Sequence, residues 1–379
     1  MLKYWCYPNV KDEDGDKKEI CDLLVLFRDV CLIITVKNYE FKGNHERYFQ
    51  NTTKKALKQL NGAERKLFRF PRDIHIKHPD REKEKFEKKK YKAIYRIFVN
   101  LGIESDFYDL KLENSNGDNV FVFDKESFQI LLNELDTLYD LTEYLEKRDT
   151  LFKGREKVII QGTEKDLLAL FLKGGKKFPP EFTKAGYTAA VIDVENQWEE
   201  FIEEEKEIRA RKKEEDKVSY FIDQLTEREM NNLPQGHLLS QELLVLNRFA
   251  RRTITKVFFD FYSLHENRLK LATGHRYVEL EDIGFVFLYY SPDITDEVFT
   301  DNMLQTAVMG YSILTKYKMK KMYGIGTTHE LNQFKFMFLE VPKPFEPNVV
   351  KEVKNMVKEF NWFQNIKQNG FTEKEYPKE

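Results

Sequence analysis

An aspartate that opens one apolar strand and a lysine that closes the next have the clearest chemistry in this chain. Glu19-Ile20-Cys21-Asp22-Leu23-Leu24-Val25-Leu26-Phe27 passes through Arg28-Asp29 into Val30-Cys31-Leu32-Ile33-Ile34-Thr35-Val36-Lys37. A two-residue turn pairs Phe27 with Val30, and counting outward sets Asp22 opposite Thr35. Side chains alternate along a strand, so Thr35 and Lys37 share a face and Asp22 joins them at the open end of the hairpin. A carboxylate is a hard oxygen ligand for a divalent cation, and an ammonium beside it steadies developing negative charge. A second carboxylate at position 35 would complete such a site, but the chain has threonine there.

The hairpin and the segment after it must position these groups. Glu46 to Leu67 reads as helical, with Ala56, Leu57, Leu60 and Ala63 on one face. Four blocks in order, Tyr7-Pro8-Asn9, Glu19 to Val25, Val36-Lys37 and Gln59-Leu60-Asn61-Gly62-Ala63-Glu64-Arg65, resemble a group of bacterial nuclease-related proteins of the PD-(D/E)XK superfamily. The likeness covers roughly the first seventy residues and is weaker around Leu131 to Lys147.

The resemblance implies a restriction-endonuclease-like mixed sheet flanked by helices. It also implies two acids that bind Mg²⁺ (or Mn²⁺), and a lysine that positions or activates the water attacking a phosphodiester. Carried over, Asp22 is a metal ligand and Lys37 the catalytic cation. Thr35 departs from the pattern, because a hydroxyl is a poor substitute for a carboxylate on Mg²⁺. The second acid must then come from elsewhere: Glu19 ahead of the first strand, or Glu46 or Glu64 in or beside the following helix. Glu64, inside a matched block, and Glu19 are favoured, with the choice between them open. The implied activity is hydrolysis of DNA, with defence against foreign DNA as an analogy at family level. The competing expectation is a module eroded at Thr35 that binds nucleic acid or a partner subunit.

Charge is distributed unevenly. The net value is only −2, yet residues 42–98 hold 18 Lys and Arg against 7 Asp and Glu, while residues 190–217 hold 6 against 11. A basic segment directly after the hairpin is where a phosphate backbone would lie, with Lys54, Lys55, Lys58 and Arg65 as its candidate contacts. Arg248, Arg251 and Arg252 form a second basic cluster, read chiefly as an ordinary helix flank. Gly324-Ile325-Gly326-Thr327-Thr328 lacks the lysine of a phosphate-binding loop and reads as strand-end glycines.

At 379 residues with 41% hydrophobic content, the chain is long enough for two or three domains. No apolar run reaches the length of a membrane span, and a cytoplasmic protein is expected. A homo-oligomer or partner protein is compatible with this. Cys6, Cys21 and Cys31 fit no zinc spacing and read as buried thiols. The expected organisation is a nuclease-like domain over residues 1–175, a helical linker over 176–232, and a C-terminal α/β domain over 233–379. The linker stretch is expected to carry one long charged helix from Thr188 to Glu229. Single helices are expected over Ser127 to Asp149 and Ser240 to Tyr262.

Overall fold

The computed structural model describes residues 2–376, apart from 103–110, 115, 153–156, 184–188, 231–232, 235, 266–272, 281, 292, 329–330, 332, 342 and 365–373. The chain divides into two compact units, Met1–Lys206 and Glu207–Glu379. This boundary falls inside the stretch expected as a linker, and each unit claims part of it.

The first unit is built on a six-stranded mixed sheet. Its strands are β1 (Cys6–Lys11), β2 (Glu19–Phe27), β3 (Val30–Lys37), β6 (Ala93–Asn100), β7 (Lys111–Glu113) and β8 (Asn119–Asp124), in the spatial order β1-β2-β3-β6-β8-β7. The first three form an antiparallel meander, β6 and β8 follow parallel to β3, and β7 closes the edge antiparallel. Phe27 does pair with Val30, and Arg28 takes a positive φ of 55° to close the tight turn. Between β3 and β6 the chain is helical from His45 to Arg69. The run is α1 (His45–Phe49), a wider turn at Gln50–Lys54, α2 (Lys55–Glu64), and a second wide turn at Arg65–Arg69. A small hairpin of β4 (His75–Lys77) and β5 (Lys83–Lys85) leads back to β6.

Apolar spacing explains how α2 docks. Ala56, Leu60, Ala63 and Leu67 recur every three or four residues and are buried against Leu24, Cys31, Ile33, Phe98 and Val122 on one face of the sheet. Each of the two leucines contributes about 1.5–3 kcal/mol by leaving water. Asp22, Thr35 and Lys37 stand on this same face, by alternation from the register pairs Leu24–Ile33 and Leu26–Cys31. The helix therefore lies beside the open end of the hairpin.

Residues 127–149 are two helices, contrary to the single one expected. α3 (Lys125–Glu134) ends at Leu135, and α4 (Leu138–Thr150) restarts with Thr137 as N-cap, its hydroxyl accepting from the Asp140 N–H. A leucine stripe can continue across such a break, which hides it. β9 (Lys157–Gln161) pairs in parallel with β10 (Ala189–Asp193), and α5 (Glu164–Lys173), opened by a Thr163–Asp166 capping box, and α6 (Pro180–Thr183) lie between them in sequence. α7 (Gln197–Glu204) packs against α5. The expected charged helix thus begins with a strand, Ala-Ala-Val-Ile-Asp, and its helical part is broken at Glu205 and again at Lys217–Ser219.

The second unit opens with α8 (Lys206–Asp216), which begins at the boundary, followed by α9 (Tyr220–Arg228), α10 (Gly236–Leu244) and α11 (Arg248–Ser263). The segment expected as one helix over 240–262 breaks before Asn247, which caps α11 by accepting from the Ala250 N–H. A four-stranded sheet follows, in sequential order: β11 (Thr273–Leu280), β12 (Ile283–Tyr290), β13 (Lys321–Thr327) and β14 (Phe334–Glu340). α12 (Glu297–Leu314) makes the crossover between parallel β12 and β13, and α13 (Pro347–Glu359) packs on α12. The expected C-terminal α/β pattern is present. Gly324 and Gly326 lie inside β13, where a Cβ on Gly324 would come within 2.8 Å of the Val308 side chain. Close helix packing accounts for that glycine.

Candidate active site

The β2–β3 ladder runs from Phe27–Val30 to Leu23–Ile34 and stops there. At the next position the Asp22 side chain bends onto β3, and its Oδ2 accepts the Val36 backbone N–H at 2.6 Å and the Thr35 hydroxyl at 2.8 Å. The Lys37 Nζ stands 3.8 Å from the same carboxylate oxygen, 3.3 Å from Thr35 Oγ1 and 3.0 Å from the Val36 carbonyl. From α2, Gln59 Oε1 reaches to 2.9 Å from Thr35 Oγ1. Thr35 is buried, whereas Asp22 and Lys37 are partly exposed, so the cluster opens to solvent on the carboxylate and ammonium side.

Glu19, exposed at the first position of β2, lies near enough to Asp22 for the two carboxyls to influence each other. Two neighbouring carboxyls cannot both ionise cheaply, and their surroundings separate them. Partial burial, then the hydrogen bond to Asp22 and its charge, push Glu19 above the ordinary carboxylate range. Burial would push Asp22 up as well, but the Val36 N–H, the Thr35 hydroxyl and Lys37 outweigh it and hold Asp22 below its usual value. Of the two, Glu19 is the carboxyl that takes up a proton first as pH falls.

The favoured alternative, Glu64, lies in a different environment. It sits four residues after Leu60, on the buried stripe of α2, and its carboxylate accepts from Arg96 Nε at 2.6 Å, with Arg69 3.5 Å away. Arg96 also meets Asp118 at 3.1 Å. A glutamate on an apolar helix face requires a buried cation, and the i+4 spacing from Leu60 was the signal for it. Glu46 is exposed in the first turn of α1.

The residues present can be tested against a divalent cation. Among the described residues, no group of three or more His, Cys, Asp or Glu could hold a metal ion. Mg²⁺, however, is commonly held by one or two carboxylates, with waters and substrate phosphates completing its shell. Asp22 and Glu19 supply two carboxyls, and Gln59 and Thr35 add neutral oxygens. The Thr35 hydroxyl has one hydrogen to give and two oxygens, Asp22 Oδ2 and Gln59 Oε1, within reach. Turning the Gln59 amide over lets its NH2 donate to Thr35 Oγ1 while Thr35 donates to Asp22, so the cluster can also satisfy itself. Two carboxyls with neutral oxygens beside them match the oxygen ligands Mg²⁺ takes.

The basic segment splits into two classes. Lys66, Arg69, Arg72, Lys83, Lys85 and Arg96 are paired with acids: Asp16, Glu64, Asp12, Asp14, Asp73 and Glu64, respectively. The acids of the β1–β2 loop, Asp12, Asp14 and Asp16, thus neutralise part of the positive charge counted in the sequence. Lys54, Lys55, Lys58 and Arg65 are exposed along the helical run beside Gln59, and Lys55 bonds to Asn51. In the second unit, Arg248 and Arg251 hold Asp223 at 2.8 and 2.6 Å, and Arg252 holds Asp216 at 3.0 Å, all three guanidiniums being buried. They brace the helices there. Cys21 and Cys31 are buried free thiols, and Cys6 is half-buried.

No family model, curated protein or solved structure matches this chain.

Proposed function

We propose that the chain is a metal-dependent nuclease that hydrolyses phosphodiester bonds of DNA, related to the PD-(D/E)XK superfamily. The observation that carries this reading is the pairing of Glu19 with Asp22 beside Lys37. It provides a second carboxyl where Thr35 does not. Asp22 and Glu19, with the Gln59 and Thr35 oxygens, would hold Mg²⁺ or Mn²⁺. When bound, the ion polarises the phosphoryl oxygen and lowers the pKa of an attacking water.

The chain's own residues do the rest. The Val36 N–H and Thr35 hydroxyl orient Asp22 and keep it ionised at neutral pH. Glu19 would add the second carboxylate to a bound cation. Lys37 faces the same opening and stabilises negative charge developing on the phosphate. Lys54, Lys55, Lys58 and Arg65 supply phosphate contacts outside the cluster. Defence against foreign DNA remains the biological setting that the family resemblance suggests.

Incubation of plasmid and linear DNA with Mg²⁺ or Mn²⁺ tests the reading, comparing wild type with Asp22→Asn and Lys37→Ala. Cutting that needs the metal and disappears in both variants supports it. Wild-type protein that binds DNA but never cuts it would favour the eroded binding module instead.

A further inference from the structure

The face of the helical run that carries the basic residues also carries rings. Phe41, in the loop after β3, lies with its ring centroid 4.5 Å from that of His45, the first residue of α1. Phe49 follows one turn later on the same side and is 45% exposed. In a regular α-helix Lys54 would point about 140° away from Phe49. The wide turn at Gln50–Lys54 is closed by i→i+5 bonds, which bring residues five apart into line. Lys54 Nζ accordingly lies 6.0 Å from the Phe49 ring centroid. Lys58 is one further turn along. The result is a row of ring, ring, ring, cation, cation: Phe41, His45, Phe49, Lys54 and Lys58.

The row ends next to Gln59, whose amide touches Thr35 in the candidate active site. From His45 to Lys58 it spans about 20 Å at the helical rise. Glu46 is the one acid between His45 and Ala63, against Arg47, Lys54, Lys55 and Lys58. A basic surface alone would suit any nucleic acid. His45 and Phe49, exposed one helical turn apart beside a Phe41 half-buried against Tyr48, do not, because a duplex keeps its base faces stacked inside. An unpaired strand offers those faces, and base–ring stacking is worth about 1–3 kcal/mol per base.

We infer that this row is a platform for an unpaired segment of a DNA strand, which lays its bases on His45 and Phe49, backed by Phe41, and its phosphates along Lys54 and Lys58. Resting on the nuclease reading, it makes the substrate of that site single-stranded DNA, or duplex DNA with a single-stranded overhang or flap.

The test uses the full chain in EDTA, so that binding is measured without cleavage. Fluorescence anisotropy compares a labelled oligothymidine with a blunt duplex of equal length, for wild type, Phe49→Ala and Phe49→Tyr. The single strand is expected to bind more tightly than the duplex. Phe49→Ala should weaken it by about 5- to 100-fold, leave the duplex unchanged and keep the wild-type melting temperature. Phe49→Tyr should retain binding. Equal affinity for both DNAs, no effect of Phe49→Ala, or an equal loss on both would overturn the platform. Cleavage of single-stranded, flap and plasmid DNA with Mn²⁺ is scored separately. A protein that prefers the single strand through Phe49 but never cuts would sink the nuclease reading and leave the platform standing.

Discussion

The Asp22 carboxylate takes the Val36 backbone N–H at 2.6 Å, just beyond the last β2–β3 backbone pair, Leu23–Ile34. A side chain thus does the work of a strand partner, and the hairpin opens where its polar groups gather. Asp22→Asn keeps an acceptor for Val36 and should leave stability within about 1 kcal/mol, whereas Asp22→Ala strands that N–H and should cost about 1–3 kcal/mol. Both should abolish metal-dependent cutting. Urea denaturation beside a cleavage assay separates the two effects, and equal destabilisation by both substitutions would refute the assigned hydrogen bond.

Glu19 and Asp22 should give stability opposite pH dependences. The folded pKa of Glu19 is raised, so its contribution is fullest below the unfolded value and is lost as pH rises through the folded one. Asp22 is lowered, so its contribution is present above the unfolded value and is lost as pH falls through the folded one. Glu19→Gln removes the first dependence. The variant should therefore gain melting temperature relative to wild type at neutral pH, lose that gain in acid, and bind Mn²⁺ more weakly. Thermal melts across pH, with calorimetric Mn²⁺ titration, would show it. A constant offset at every pH would count against the raised pKa of Glu19.

Glu64 is predicted to support the fold through Arg96. Glu64→Gln leaves that guanidinium with Asp118 as its remaining carboxylate, and should cost about 3 kcal/mol. Cutting per folded molecule should survive. If Glu64→Gln instead kept its stability and lost metal binding, Glu64 rather than Glu19 would be the second ligand.

Thr35→Asp would set a third carboxyl within reach of Asp22 at a buried position. Without metal, the like charges should lower the melting temperature. With Mn²⁺ the variant should recover more than wild type gains, because tighter binding to the folded state stabilises it by mass action. Identical metal-induced shifts in the two proteins would argue that no cation binds there.

Lys54→Ala and Lys58→Ala should each reduce the salt dependence of DNA binding, by about 0.7–0.9 in the slope of log K against log salt. Lys85→Ala is a control, since that side chain is already paired with Asp73. Slopes that fall equally in all three would show the positive field to be diffuse.

The hairpin was legible because a two-residue turn and strict alternation leave one register, and that register delivers Asp22 to Thr35 and Lys37. The helical run expected over Glu46 to Leu67 was legible as well, because Ala56, Leu60 and Ala63 recur at helical spacing. Breaks inside continuous patterns were not: the stripe from Leu131 to Leu145 crosses the α3–α4 junction, and Ala189–Asp193 is a strand at the head of a highly charged stretch. The choice between Glu19 and Glu64 was hidden for a different reason. It depends on where Arg96 lands, and a contact 32 residues away leaves no local trace. The row from Phe41 to Lys58 was concealed by one wide helical turn, which shifts the spacing from four to five.

Arg248, Arg251 and Arg252 bury three positive charges in the second unit, and the carboxylates they hold, Asp216 and Asp223, come from α8 to α9, well ahead of the sheet. A fragment begun at Leu233, where the turn-rich sequence invites a cut, would keep the guanidiniums and discard both carboxylates. Charge pairing in the interior therefore requires an excisable C-terminal piece to keep Asp216, and one begun at the unit boundary, Glu207, does so.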